Sequence, residues 1–186
     1  MIRIIAGKHK NRVIPTFKKA KYRPSTGKFK EALFSILTSG EFVNHPILQG
    51  ARVLDLFCGT GSLSFEALSR GAESATLIDI DAEYLHIAKD FAKNIGEEKN
   101  TSFLNLNATN LPKSAYQYNL VFMDPPYYNG LISKAISSLL QNGWLDEGAI
   151  IAIELSKTED YLPSDKLSVI IERIYGNNKL IILRLM

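Results

Sequence analysis

One cysteine and three histidines in 186 residues leave little room for several kinds of protein. The lone thiol, Cys58, has no partner for an internal disulfide, and His9, His45 and His86 are too scattered to give metal-ligand spacing. Neither a disulfide scaffold nor a metal site is expected. Long hydrophobic runs are also missing. The longest, such as residues 149–153, fall far short of a bilayer span, and no apolar leader stands ahead of a small-residue cleavage site. The expectation is a cytoplasmic chain with no membrane contact. What is present is an ordinary core-forming composition, 46% hydrophobic and 10% aromatic. A chain of this length buries roughly 70% of its unfolded surface without covalent staples.

Acidic residues are absent from the first thirty positions, which hold ten of the 22 Lys and Arg; the first acid is Glu31. The remaining twelve bases face nineteen acids, a net of −7 on the body of a chain whose overall charge is +3. A basic arm on an acidic body suits an anionic polymer, because neutralised phosphates supply sequence-independent affinity. A solvated tail is the plainer reading of the same run.

Periodicity and punctuation divide the chain further. Residues 2–6 and 12–14 are short β-type runs around Gly7, Lys8, His9, Lys10 and Asn11, a hairpin with a basic tip. Ser25 or Thr26 is placed to cap a helix running to about residue 38, with Phe29, Leu33, Phe34 and Leu37 on one face and Gly40 ending it. Residues 1–24 read as a basic N-terminal extension and 25–186 as the main domain. From residue 51 strands and helices alternate: strands at 52–57, 75–80, 102–106, 119–123 and 148–155, helices at 62–70, 82–94 and 131–140. That order predicts an α/β fold with a mostly parallel sheet and helices on both faces. Residues 167–174 and 179–185 are joined by four residues only, so the last strand is predicted to run antiparallel.

Candidate chemistry gathers where these strands end. Residues 55–61, Asp-Leu-Phe-Cys-Gly-Thr-Gly, close one strand and open a helix. Gly59 and Gly61 let the backbone approach a ligand at a helix N-terminus, which implies a nucleotide-like cofactor beside Asp55, Phe57 and Cys58. A dinucleotide fingerprint wants a third glycine where Ser64 stands. Asp79, twenty residues beyond Gly59, has the spacing of an acid that accepts ribose hydroxyls, and Ile80 could pack on an adenine ring. Asp81 reads better as a helix cap. Asn107 and Ala108 end the next strand, where they could meet the adenine edge or serve only the loop. The sharpest signal is Asp124-Pro125-Pro126-Tyr127. Two prolines stiffen the turn and remove two donors, so an acid, carbonyls and a ring converge at one strand end. A rigid turn closing a buried strand is the alternative.

The set of residues 55–61, Asp79 and 124–127 resembles class I S-adenosylmethionine-dependent methyltransferases that act on an exocyclic amine. Residues 4–8, 23–26 with 30–34, 52–57, 66–72 and 143–145 extend the likeness, in order and over nearly the whole chain, to the RsmD family of bacterial 16S rRNA guanine-N2 methyltransferases. The chain departs from that family's pattern at Ser25, near Gly27, at Asp79 and at Asn107. The resemblance implies a Rossmann-like class I fold with a small N-terminal hairpin, S-adenosyl-L-methionine as cofactor, and guanine 966 of 16S rRNA, in the small subunit or its precursor, as target.

Methyl transfer from a sulfonium to a neutral amine asks mainly for in-line positioning. Asp124 and the Pro125 carbonyl could accept the two amine N–H groups and orient the lone pair, with Pro126 stiffening the turn and Tyr127 stacking on the base. Lys8, Lys10 and Arg12 are candidate phosphate contacts and His9 a candidate stacker, and Arg23 and Thr26 are placed to close over the site. A monomer is expected. Competing readings are an adenine-N6 methyltransferase of DNA or RNA, a protein-glutamine methyltransferase, and a non-catalytic RNA-binding protein that keeps a cofactor pocket. A nicotinamide oxidoreductase is disfavoured by Ser64.

Overall fold

The computed structural model describes residues 2–16, 27–39, 46–127 and 130–186. Ser25, Thr26, Arg23 and Gly40 lie outside the described residues. A two-stranded hairpin, β1 (Ile2–Arg3) with β2 (Val13–Ile14), precedes α1 (Gly27–Thr38). The body follows as β3 (Arg52–Leu56), α2 (Ser62–Ser69), β4 (Ser74–Asp79), α3 (Ala82–Asn94), β5 (Thr101–Asn105), β6 (Tyr118–Met123), α4 (Leu131–Gln141), β7 (Leu145–Ser156), β8 (Leu167–Tyr175) and β9 (Asn178–Leu185). Seven strands form one sheet in the order β5-β4-β3-β6-β7-β9-β8. All pairings are parallel except those of β9, antiparallel to both neighbours as the short connection requires.

From β3 the chain moves outward through β4 to β5, then returns to lay β6 on the other side of β3. Right-handed crossovers then put the helices of the outward run on one face and the helix of the return run on the other. α2 and α3 share one face with α1, packing on Val53, Leu77 and Phe122. α4 covers the other, where Ile132, Ile136 and Leu139 meet Leu54, Val121 and Ile151. Both faces being covered, β3 and β6 read as continuous apolar runs rather than alternating ones.

Several boundaries moved by a residue or more, three of them with a visible cause. β1 stops at Arg3: Ile4 N–H still donates across the hairpin to the Arg12 carbonyl at 3.0 Å, but Ile5 N–H and Ala6 N–H go to the Glu66 carboxylate at 2.7 and 3.1 Å. β7 begins at Leu145 rather than 148, since a bulge between Leu145 and Ile150 absorbs the Asp146-Glu147-Gly148 break that interrupts the apolar pattern. α2 ends at Ser69. Gly71, at φ +110°, follows in a left-handed cap, with Ala72 N–H donating to the Ala67 carbonyl and Gly71 N–H to that of Leu68.

The hairpin tip is docked. Gly7 lies against the end of α2 so closely that a Cβ there would sit 1.8 Å from the Ser69 carbonyl oxygen. Lys8 N–H donates to that carbonyl and His9 N–H to Ser69 Oγ. Ile4 and Ile14 are buried in the same cluster as α1 and α2. Glu66 ties these parts together. Fully buried, it also receives Arg70 Nε at 2.8 Å and faces the buried Lys30 ammonium of α1 at 3.4 Å. Lys30 in turn donates to the Arg3 carbonyl at 2.6 Å. Burial pulls the Lys30 pKa down and Glu66 opposes that shift. Glu66→Gln would leave the ammonium buried without its counter-charge, and the expected cost is about 3–5 kcal/mol in urea unfolding. A loss below about 1 kcal/mol would remove Glu66 from this role.

Candidate active site

Parallel strands place their carboxyl ends on one edge, and the crevice opens where strand order reverses, here between β3 and β6. A cavity of about 640 Å³ lies there. Its walls bring together Asp55, Phe57, Cys58 and Gly59 from beyond β3, Asp79 and Ile80 from β4, Asn107 and Ala108 from beyond β5, and Asp124, Pro125, Pro126 and Tyr127 from beyond β6. Residues separated by up to 72 positions thus share one wall. Gly61 is the one cofactor-loop candidate that does not line it. It stands at the α2 N-terminus with φ +80°, where a Cβ would meet Leu77 and Phe65 within 2.7 Å, so its need is close packing. Gly59, at φ +53°, faces open space. Phe57 adopts φ +61°, an uncommon conformation for a residue with a side chain, and turns the chain into the loop.

Asp55 shares its face of β3 with Val53, toward α2, and Ser64 of α2 donates to its Oδ2 from Oγ at 2.6 Å and from N–H at 3.2 Å. Ser64 therefore has a role of its own at the position where a dinucleotide fingerprint carries glycine. Burial drives the Asp55 pKa up to about 7; the Ser64 bonds oppose the shift, and the charges of Asp124 and Asp79 add to it. Asp79 is raised as well, by burial, against N–H donors from Asp81 at 2.9 Å and Gly59 at 2.8 Å. Asp81 caps α3 by accepting Glu83 N–H. Three carboxyl groups thus line one cavity. The Cys58 thiol is pushed well up by burial and by Asp55 and Asp79, which suits a small lining group and not a nucleophile.

Ile80 is 72% exposed, an apolar side chain left beside the cavity. Asn107 Oδ1 is engaged in a local turn by Thr109 N–H and Oγ1, so what it can present to a ligand is the donor end of its amide. Thr109, Tyr84, Thr60 and, from the hairpin, Ile2 and Thr16 also line the cavity. Thr60 belongs to the glycine loop and Thr109 to the turn after β5; Tyr84, Ile2 and Thr16 carry no local motif and arrive through the docking of α3 and the N-terminal segment.

The basic residues of the hairpin divide. Lys8 Nζ and His9 Nε2 each lie 2.6 Å from Glu97 Oε1, and Arg12 donates to Asn94 Oδ1 at 2.6 Å. For Glu97, burial would raise the pKa, but bonds from Lys8, Asn100 and His9 outweigh it and hold the carboxyl below its usual range. Lys10 is exposed at the tip, and the Lys8 side chain keeps 54% of its surface open. Among the described residues no helix is long and apolar enough to cross a membrane, and no group of three or more His, Cys, Asp or Glu could hold a metal ion.

Asp55 gives a pH test. Its folded pKa lies above the ordinary aspartate value of 3.8, so between pH 4 and 7 the folded protein holds a proton that the unfolded chain has lost, and stability falls as pH rises through that window. Asp55→Asn keeps an acceptor for Ser64 without the buried charge. The variant is expected to melt higher than the parent at pH 8, with a gain of at most ~4 kcal/mol by the usual conversion of a pKa shift. The gain should shrink toward zero near pH 4. A pH-independent difference would place the Asp55 pKa in its ordinary range.

Comparison with known proteins agrees with this geometry. The family model described as Conserved hypothetical protein 95 matches residues 2–184. An uncharacterized methylase of Rickettsia prowazekii is 42% identical over 99% of this chain and 98% of its own length. Ribosomal RNA small subunit methyltransferase D of Escherichia coli is 37% identical over 88% of this chain and 78% of its own. The solved structure of the Escherichia coli methyltransferase candidate yhhF superposes with a TM-score of 0.82 at 31% identity, covering 99% of this chain and 97% of that one. By its sequence, its sheet order and its strand-end site, the chain belongs to the Conserved hypothetical protein 95 family, that of the RsmD methyltransferases.

Proposed function

We propose that the protein transfers a methyl group from S-adenosyl-L-methionine to the exocyclic N2 amine of a guanine in 16S rRNA, guanine 966 by family likeness, in the small ribosomal subunit or its precursor. The observation that carries this reading is the convergence of the Gly59 loop, Asp79 and the Asp124–Tyr127 turn on one cavity. The residues present fit such a cofactor. Gly59 leaves its side of the cavity open, Asp79 has oxygen lone pairs beyond its two backbone donors for ribose hydroxyls, and exposed Ile80 offers an apolar face to adenine. The Asn107 amide and Ala108 would meet the adenine edge. The carboxylates of Asp55, Asp79 and Asp124 favour a positively charged ligand. When bound, the cofactor supplies a methyl group on a cationic sulfur.

The remaining work falls to the chain. Asp124 is half-buried at the cavity wall, where its carboxylate and the Pro125 carbonyl would accept the two N–H groups of the amine. That arrangement turns the nitrogen lone pair toward the methyl and offsets charge developing on nitrogen. Tyr127 would stack on a base extruded from its helix or loop. The exposed hairpin tip, led by Lys10 and Lys8, would hold backbone phosphates and orient the RNA without reading its sequence. Such a substrate places the reaction in the cytoplasm.

Asp124→Ala is expected to abolish labelled-methyl turnover while calorimetric affinity for S-adenosyl-L-methionine stays within about twofold, the signature of an interaction made in the transition state. Normal turnover would remove Asp124 from the mechanism. Lys10→Glu should weaken rRNA binding and lower the slope of log affinity against log salt by about one or more, with the melting temperature unchanged. An unaltered slope would leave the hairpin a purely structural role.

A further inference from the structure

Three side chains outside the glycine loop meet at the rim of the cavity, and each comes from a different part of the sheet. Tyr127 lies four residues past the end of β6. Glu154 is near the end of β7 and Asn178 opens β9. The register of β7 with β9 sets Ser156 opposite Asn178, so Glu154 is the diagonal neighbour of Asn178 on one face of the sheet. Asn178 Nδ2 donates to Glu154 Oε1, and the Tyr127 hydroxyl lies 3.2 Å from Asn178 Oδ1 and 3.5 Å from Glu154 Oε1. Glu154 is 2% exposed within a strand of isoleucines and leucines, whereas the Tyr127 ring is 39% exposed and lines the cavity. A carboxylate in an apolar strand is costly unless its bonds do something for the fold or the site. Here it lies beneath the hydroxyl of an aromatic ring that lines the cavity.

We infer that Glu154 and Asn178 are positioning residues that fix the angle of the Tyr127 ring, and through it the orientation of the planar amine substrate. This rests on the amine-methylating reading above. Neither residue touches the reacting atoms. Their effect is geometric: a ring held at both ends presents one stacking plane, and a displacement of about 1 Å at a reacting centre can cost 10²-fold in rate. The chain thereby recruits the end hairpin β8–β9, which otherwise only extends the sheet, to the half of the site that holds the base.

The test uses the full chain and the variants Tyr127→Phe, Asn178→Ala and their combination, with Glu154→Gln beside Glu154→Ala. Measured are kcat and KM for rRNA, cofactor affinity by calorimetry, and the Tyr127 ring orientation in crystals of the parent and of Asn178→Ala. Each loss of the hydroxyl linkage is expected to lower kcat roughly 10- to 100-fold with cofactor affinity within about twofold. The double variant should be no worse than the more damaging single one, because both act through one contact. Glu154→Gln, which keeps the acceptor, should retain most of the kcat that Glu154→Ala loses. The ring should be rotated in Asn178→Ala. Multiplying losses in the double variant, or parent-like kcat in Tyr127→Phe, would overturn the inference, as would an unmoved ring in Asn178→Ala. A parent protein that methylates no RNA would sink the functional reading instead, and the crystals would still decide whether Asn178 positions the ring.

Discussion

Asp55, Asp79 and Asp124 stand at the carboxyl ends of three adjacent strands, and the withdrawal of carboxyl groups from water is the constraint around which the site is arranged, with burial the larger cause of the raised Asp55 and Asp79 pKa values and neighbouring charges the smaller. Each is managed differently. Asp55 is fully withdrawn from water and held by Ser64, with a pKa near 7. Asp79 is half-buried and spreads its charge over the Gly59 and Asp81 amides. Asp124 keeps its place at the wall through the stiffness of the Pro125-Pro126 turn. Such a cluster costs folding energy. A cationic ligand would lower that cost.

The frame that tolerates this cluster is built opposite it. A buried Glu66 collects the backbone of Ile5 and Ala6, the Arg70 guanidinium and the Lys30 ammonium, and so locks the hairpin and α1 onto α2. The hairpin then contributes Ile2 and Thr16 to the cavity wall while its tip stays at the surface. The hairpin and the cavity wall are thus joined through one helix.

Much of this was legible in the sequence because the signals were local. Gly59 with Asp79 at its spacing, the capping Asp81, and the short connection before β9 each follow from a few neighbouring residues; the structure brings Gly59 and Asp79 to one cavity, whereas Gly61 serves close packing. The short hairpin strands came out shorter still, because Glu66, sixty residues away, takes the donors of Ile5 and Ala6. Lys30 read as part of a basic run, yet it is 3% exposed. Glu154 was passed over although an acid inside an apolar strand is itself a signal, and Asn178 looked like an ordinary turn residue. Its partnership with Tyr127 depends on strand register, which the sequence alone does not display.

The central claim is the acceptor, and one measurement addresses it directly. Labelled methyl transfer would be offered in parallel to small ribosomal subunits lacking the modification, naked 16S rRNA, duplex DNA and ribosomal protein, followed by nucleoside and amino-acid analysis of the labelled product. The account predicts N2-methylguanosine in the rRNA. Label found only as N6-methyladenine or in protein, or no transfer to any acceptor by a protein that binds S-adenosyl-L-methionine, would contradict it.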